Sequence, residues 1–247
     1  MIITYLKCTG IAFPGQVARP SRQEQQCVKT SYYRGILMKL YDFGPAANAR
    51  RVRIFVAEKG VDLETVTLDV RSGAQYEEPF NTMNPFHCVP FLELDDSTVI
   101  AESISICRYI EELYPEPSLF GSTAKDRARI DMWNRRVELD GFYPGLHAIR
   151  NSVVTFAGRV VPGTRNSLPQ LPAIAERGRE MLEIFLGRIE PHLGETEFLS
   201  GPAFSIADIT GLFVINTATT LGISVGEKFP NVQRWHNLIS ARPSVDA

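Results

Sequence analysis

The run Tyr114-Pro115-Glu116-Pro117 divides the chain into two regions of different periodicity. Proline fixes φ and has no N–H to donate, so neither a helix nor a central strand continues through two of them, and the segment acts as a stiff linker. On its N-terminal side, short apolar runs alternate with one amphipathic stretch. On its C-terminal side, after Phe120, everything reads as helix, with apolar residues recurring three and four apart. A small α/β domain over residues 38–116 followed by an all-helical domain over 117–247 is the expected architecture, α+β overall, and 247 residues suit two such domains.

In the first region, Lys39 to Phe43 reads as a buried strand closed by Gly44-Pro45. A helix with apolar positions Val52, Ile54, Phe55, Val56 and Ala57 follows and stops at Lys59-Gly60, where glycine takes the left-handed cap. Glu64 to Asp69 is a second strand, parallel to the first through a right-handed crossover. Phe91 to Leu94 and Thr98 to Ile100 flank Asp95-Asp96-Ser97 as a hairpin, and a helix from about Ser103 to Leu113 closes the unit.

In the second region, Thr123 and Asp126 form a capping box that opens a long helix running to about Leu139 and resuming after Pro144. Ile174, Met181, Leu182, Phe185, Leu186, Ile189 and Leu193 make one apolar stripe. Ser205 to Asp208 is a second capping box, opening a nearly all-apolar core helix. The last helix carries Val232, Trp235, Leu238 and Ile239, with Trp235 as a core residue.

Charge and cysteine content narrow the possible partners. With 26 Lys+Arg against 28 Asp+Glu, the chain has no basic field to attract nucleic acid or an anionic membrane. No apolar run reaches the roughly 18 residues of a membrane-spanning helix. Cys8, Cys27, Cys88 and Cys107 have neither metal-ligand spacing nor the density of a disulfide scaffold, so no metal is expected and a reducing, cytoplasmic setting fits. Residues 1–37 differ from the rest, with five basic residues, one acid and no sustained periodicity. They read as a poorly ordered extension upstream of a working start at Met38.

The segment Met83-Asn84-Pro85-Phe86-His87-Cys88-Val89-Pro90-Phe91-Leu92, followed by Ile100-Ala101-Glu102-Ser103-Ile104, resembles the cytosolic glutathione transferases. So do the run Asn48-Ala49-Arg50-Arg51-Val52-Arg53, the Ser205 to Asp208 box, and Trp235 near Arg242-Pro243-Ser244; the likeness runs from Met38 to Ala247 and lies near the theta, zeta and nu classes. The resemblance implies a thioredoxin-like N-terminal domain, a helical C-terminal domain, glutathione as co-substrate, and a homodimer with the helices from Ser103 and Thr123 at the contact.

Carried over residue by residue, the resemblance implies that Val89, before a cis Pro90, binds the cysteinyl unit as an added strand would. Ser103, at the first turn of a helix, suits the γ-glutamyl carboxylate, and Glu102 the ammonium beside it. Read alone, the Glu102-Ser103 pair is only a helix cap. Gln75 resembles the position that contacts the glycyl carboxylate, and Cys88 replaces the long polar side chain that usually assists it. Where most members place Tyr, Ser or Cys to hold the thiolate, this chain has Gly44-Pro45-Ala46-Ala47-Asn48, with alanine at the usual serine position. Asn48 is the nearest donor, either to the thiolate or as a plain N-cap. Phe142, Tyr143, His147 and the stretch to Ser152 are expected on the second-substrate side. Trp133, Arg135, Arg136 and Glu138 read as packing, ion pairs or a subunit contact, and Cys107 as packing.

The function this implies is transfer of glutathione to a hydrophobic electrophile. The alternatives are glutathione-dependent disulfide or peroxide reduction, and a binding module without catalysis.

Overall fold

The computed structural model describes residues 37–247, which lie within one compact unit, Ile36–Ala247. The expected N-terminal extension falls outside the described residues, apart from an exposed Leu37.

Four strands form a mixed sheet in the order β2-β1-β3-β4. β1 (Met38–Asp42) runs parallel to β2 (Glu64–Thr67) and antiparallel to β3 (Phe91–Leu94), which pairs in turn with β4 (Val99–Ala101). Leu40 faces Thr65 on one side and Leu92 on the other, and Leu40, Phe91 and Leu92 are buried. Tyr41 stacks on Phe91 at 4.5 Å and meets Phe80 edge-on at 5.6 Å. β2 is an edge strand and largely exposed, which is why its alternation is weak and only Leu68, just beyond it, is fully enclosed.

Helix α1 (Ala47–Lys59) joins β1 to β2 and ends as expected: Gly60 sits at φ 62°, its N–H bonds to the Ala57 carbonyl and the Val61 N–H to that of Val56. A short α2 (Phe80–Met83) precedes the hairpin, and α3 (Ser103–Leu113) follows it. The proline linker is fixed by Glu111, whose carboxylate accepts from the backbone N–H groups of Leu119 and Phe120 and pairs with Lys59.

The helical half differs from the sequence reading in two places. Helix α4 (Ala124–Arg136) does not break before Pro144. It passes through a π-helical turn, Val137–Phe142, directly into α5 (Tyr143–Ser152). Proline suits the first turn of a helical segment, and the wider π turn absorbs its missing N–H. Gly141 lies in that turn where a Cβ would come 2.8 Å from the Phe185 ring and 3.1 Å from Val214, so the next helices pack directly on its backbone.

The second difference is the connection 153–171. It is not helical, apart from a 3₁₀ turn at Val154–Phe156, because Gly158, Pro162, Gly163 and Pro169 punctuate it. It leads to α6 (Pro172–Glu195), α7 (Ile206–Thr220), the short α8 (Val225–Lys228) and α9 (Pro230–Ser240).

The fully buried Asp208 anchors this half. Its carboxylate accepts from the Ser205 and Leu199 backbone N–H groups and from Trp235 Nε1, each at 2.9 Å, and from Ser205 Oγ at 3.0 Å. Trp235 lies against Gly211, where a Cβ would be 2.5 Å from the indole.

Helix α1 also carries the junction between the sheet and the helices. Glu58 accepts two bonds from Arg242 at 2.7 Å, and Arg50 donates to the Val245 carbonyl at 2.7 Å.

Two measurements follow from this packing. Burial lifts the Asp208 carboxyl to about 6, against the lowering effect of its four donors. Folding therefore favours the protonated form, a contribution complete below the ordinary carboxyl range and lost as pH rises through about 6. Wild type should gain about 1 kcal/mol over Asp208→Asn between pH 7 and pH 5 in urea unfolding; a constant difference refutes this. Gly141→Ala should cost about 1 to 3 kcal/mol by overpacking against Phe185, read as a lower denaturation midpoint.

Candidate active site

The turn after β1 closes through the Ala46 N–H to the Phe43 carbonyl at 2.8 Å, and Arg53 holds Asp42 through two bonds of 2.8 Å. Ala46, in extended conformation, is the N-cap of α1 and makes no side-chain cap bond. Asn48 therefore stands inside the first turn and is not the cap, which removes one of the two roles its sequence position suggested. Among the described residues its half-buried side chain has no hydrogen-bond partner, and it lines a cavity of about 280 Å³.

Glu102 and Ser103 line the same cavity, with Ile104 and Ser105 from the first turn of α3. The first N–H groups of a helix have no intrahelical acceptor, so this wall offers donors at the positive end of the helix dipole. Glu102 is exposed and sits at φ 69°, a left-handed conformation that a non-glycine residue holds only where its surroundings dictate it. Ser103 is buried, and Arg51 Nη1 donates to its Oγ at 2.8 Å.

Arg51 is itself 2 % exposed. It pairs with Glu138 of the π turn at 3.4 Å and lies over the Phe142 ring at 4.9 Å. Burial lowers the pKa of its guanidinium, with Glu138 opposing. Glu138 is shared with Arg135 at 3.2 Å, so a residue that sequence reasoning assigned to packing or ion pairs reaches from the helical half into this cavity.

The segment before β3 does not line this cavity. Val89–Pro90 is cis, as the sequence suggested, and among the described residues neither the N–H nor the C=O of Val89 has a backbone partner. Gln75 is buried, its Nε2 at 3.4 Å from the Val70 carbonyl, and among the described residues its Oε1 has no partner. Cys88 is half-buried beneath Gly163 of the α5–α6 connection, where a Cβ would come 2.1 Å from the Phe86 carbonyl oxygen and 2.8 Å from Cys88 Sγ. Burial pushes the Cys88 thiol up, Glu102 adds to this, and Arg150 opposes it. Arg165 of the same connection reaches the Tyr76 carbonyl at 3.4 Å and lies over the Tyr76 ring. His87 is taken up by contacts with Gly163 O at 3.3 Å and Asn81 Oδ1 at 2.9 Å.

Tyr143 lines the first cavity and also a larger one of about 470 Å³ between α5 and α6, with Leu139, His147, Ile174 and Met181 among its walls. Of the residues expected on the second-substrate side, Tyr143 and His147 meet there. Phe142 lines neither cavity: it is a core residue under Arg51. Ser152 also lines neither, and its hydroxyl donates back to the Ala148 carbonyl at 2.7 Å.

Two cations escaped sequence reasoning. Arg51 stands three residues after Asn48, a spacing that puts both on one side of a helix. Nothing local marks Arg150, whose neighbour Cys88 lies far away in the chain.

Among the described residues no cluster of His, Cys, Asp or Glu is arranged to hold a metal, and no helix is long and apolar enough to cross a membrane. The glutathione S-transferase N-terminal domain family matches residues 47–113, and its C-terminal domain family matches residues 164–243. The chain is 30 % identical over 212 residues to glutathione S-transferase 2 of Saccharomyces cerevisiae, covering 84 % of this chain and 88 % of that protein. It is 27 % identical over 213 residues to a maleylacetoacetate isomerase of Pseudomonas aeruginosa, with 84 % and 93 % covered. A crystal structure of a class Gtt2 glutathione S-transferase from Vibrio parahaemolyticus is 36 % identical, superposes with a TM-score of 0.72, and is matched over 85 % of this chain and 96 % of that one. With a thioredoxin-like sheet domain, a helical second domain, and likeness to these enzymes along most of its length, the chain belongs to the glutathione S-transferase family.

Proposed function

We propose that this protein conjugates the thiolate of glutathione to an apolar electrophile, with the peptide held along the sheet domain and the electrophile in the cavity between α5 and α6. The observation that carries the reading is that the two cavities share Tyr143 as a wall. One is polar, with Asn48, Glu102 and Ser103. The other is lined mainly by Leu139, Ile174, Met181 and the faces of Tyr143 and His147.

In this reading Val89 offers its free N–H and C=O to the cysteinyl unit, Ser103 and the first turn of α3 take the γ-glutamyl carboxylate, and Glu102 takes the ammonium. Asn48 donates its side-chain amide to the sulfur at the positive end of α1, which favours the thiolate. Arg150, the cation whose charge acts on the Cys88 thiol, is the group suited to the glycyl carboxylate. Holding the thiolate beside an electrophile is the whole of the chemistry required.

Retention on immobilised glutathione with turnover of an aryl halide is the expected result. Retention with disulfide reduction alone would replace conjugation by thiol–disulfide exchange, and retention with neither activity would make the protein a binding module. Self-association through α3 and α4 and a cytoplasmic location belong to the same reading; light scattering giving a monomer at micromolar concentration would overturn the first.

Asn48→Ala is the sharper test of the thiolate. Because Ala46 is the cap, the variant should keep its melting temperature. Glutathione affinity should stay nearly unchanged while the bound thiol pKa rises and kcat/KM near neutral pH falls about tenfold, the roughly 0.5 to 1.5 kcal/mol of one hydrogen bond. An unchanged thiol pKa in the ultraviolet thiolate absorbance would exclude Asn48.

A further inference from the structure

We propose that Arg51 is a positioning residue that makes the Ser103 hydroxyl a dedicated hydrogen-bond donor to the γ-glutamyl carboxylate. The inference rests on the γ-glutamyl reading of Glu102 and Ser103 given above.

A serine hydroxyl has one proton and two lone pairs, and free in solution it serves either as donor or as acceptor. A guanidinium has only N–H groups. With Arg51 Nη1 at 2.8 Å from Ser103 Oγ, the oxygen must accept, and its proton is left for a partner on the other side. That side is the cavity Ser103 lines. The bond from a cation also polarises the hydroxyl, which strengthens what it donates to a carboxylate.

Arg51 borders the same cavity, but with almost no exposed surface it acts there through the Ser103 hydroxyl. Its Nε and Nη2 are buried and among the described residues have no hydrogen-bond partner, while its side chain is 2 % exposed. Its position is set by Glu138 Oε1 at 3.4 Å, and the other Glu138 oxygen is taken by Arg135 at 3.2 Å. Two guanidinium groups therefore share one carboxylate, and the cluster keeps one positive charge in excess. In the same cavity Glu102 has no cation paired with it among the described residues, whereas Arg108 is paired with Asp131. The walls thus present a separated positive and negative charge, the complement of an α-amino acid head with its carboxylate toward Ser103 and its ammonium toward Glu102.

The test is a cycle of Ser103→Ala, Arg51→Lys and the double variant, read as calorimetric affinity for glutathione and for 4-aminobutyryl-cysteinylglycine, which lacks only the γ-glutamyl α-carboxylate. Lysine keeps the charge but is shorter and has no planar guanidinium to lie over the Phe142 ring, so it does not hold a donor where Nη1 meets both Ser103 and Glu138. Each single variant should weaken glutathione about tenfold, acting on KM more than on kcat, and the double variant should be no weaker than Ser103→Ala alone. Affinity for the analogue should be the same in all four proteins. Losses that multiply in the double variant, or an Arg51→Lys protein that binds glutathione as wild type does, overturn the proposal. If Arg51→Lys fails to fold, Glu138→Gln decides: a severalfold loss for glutathione but not for the analogue supports the role of Arg51, and no loss removes it. Wild-type protein that binds no glutathione would instead refute the γ-glutamyl reading itself.

Discussion

Helix α1 is enclosed on most of its surface, and the rest of the molecule is arranged around what that enclosure demands. Ala49, Val52, Ile54 and Phe55 have no exposed surface, as expected of a helix set between a sheet and a second layer of helices. Yet the same helix carries Arg50, Arg51, Arg53, Glu58 and Lys59. A buried charge is tolerated only with partners, and each of these finds one outside the helix. Arg53 meets Asp42 of β1, Arg51 meets Glu138 of the π turn, Lys59 meets Glu111 of α3, Glu58 meets Arg242, and Arg50 meets the Val245 carbonyl. The helix is thereby tied electrostatically to its own strand, to α3 of its domain, and to the π turn and the C-terminal residues of the helical half.

The same arrangement decides where a polar ligand can sit. At the start of α1 no side chain caps the helix, and among the described residues Asn48 has no internal partner. Its unsatisfied donors and those of the first turn of α3 converge on one cavity, and the π turn reaches that cavity through Glu138. A straight α-helical path from Ala124 to Ser152 would rotate the residues after the turn away from their present facing, since one residue more per turn is a large angular step. The π turn is thus the element that lets one continuous helix serve both cavities.

Much of the fold was legible because the signals are local. Gly60 as a left-handed stop, Asp95-Asp96-Ser97 as a hairpin loop and Ser205 to Asp208 as a capping box each act within a few residues. Pro144 misled for the opposite reason: whether proline ends a helix depends on whether the turn before it can widen, and that is set by how closely Phe185 and Val214 approach Gly141. The connection 153–171 carried its own glycines and prolines, but the helical pattern on both sides outweighed them. Glu102 and Ser103, which both line the polar cavity, were singled out through order along the chain. Arg51 was not, because the run Arg50-Arg51-Val52-Arg53 does not say which arginine turns inward, and its partner Glu138 is 87 residues away.

The tie between Glu58 and Arg242 has a consequence in time. The two residues are 184 positions apart. At a synthesis rate of about 5 to 20 residues per second, Glu58 waits roughly 10 to 40 s before its partner exists. Throughout that interval the sheet domain can form its strands, its hairpin and the cap at Gly60, but the Glu58 carboxylate stays in water and the part of α1 that meets the last residues of the chain stays uncovered. Docking of the segment around Arg242 is therefore the step that completes the enclosure of α1, and it can come only when synthesis of the chain is nearly finished.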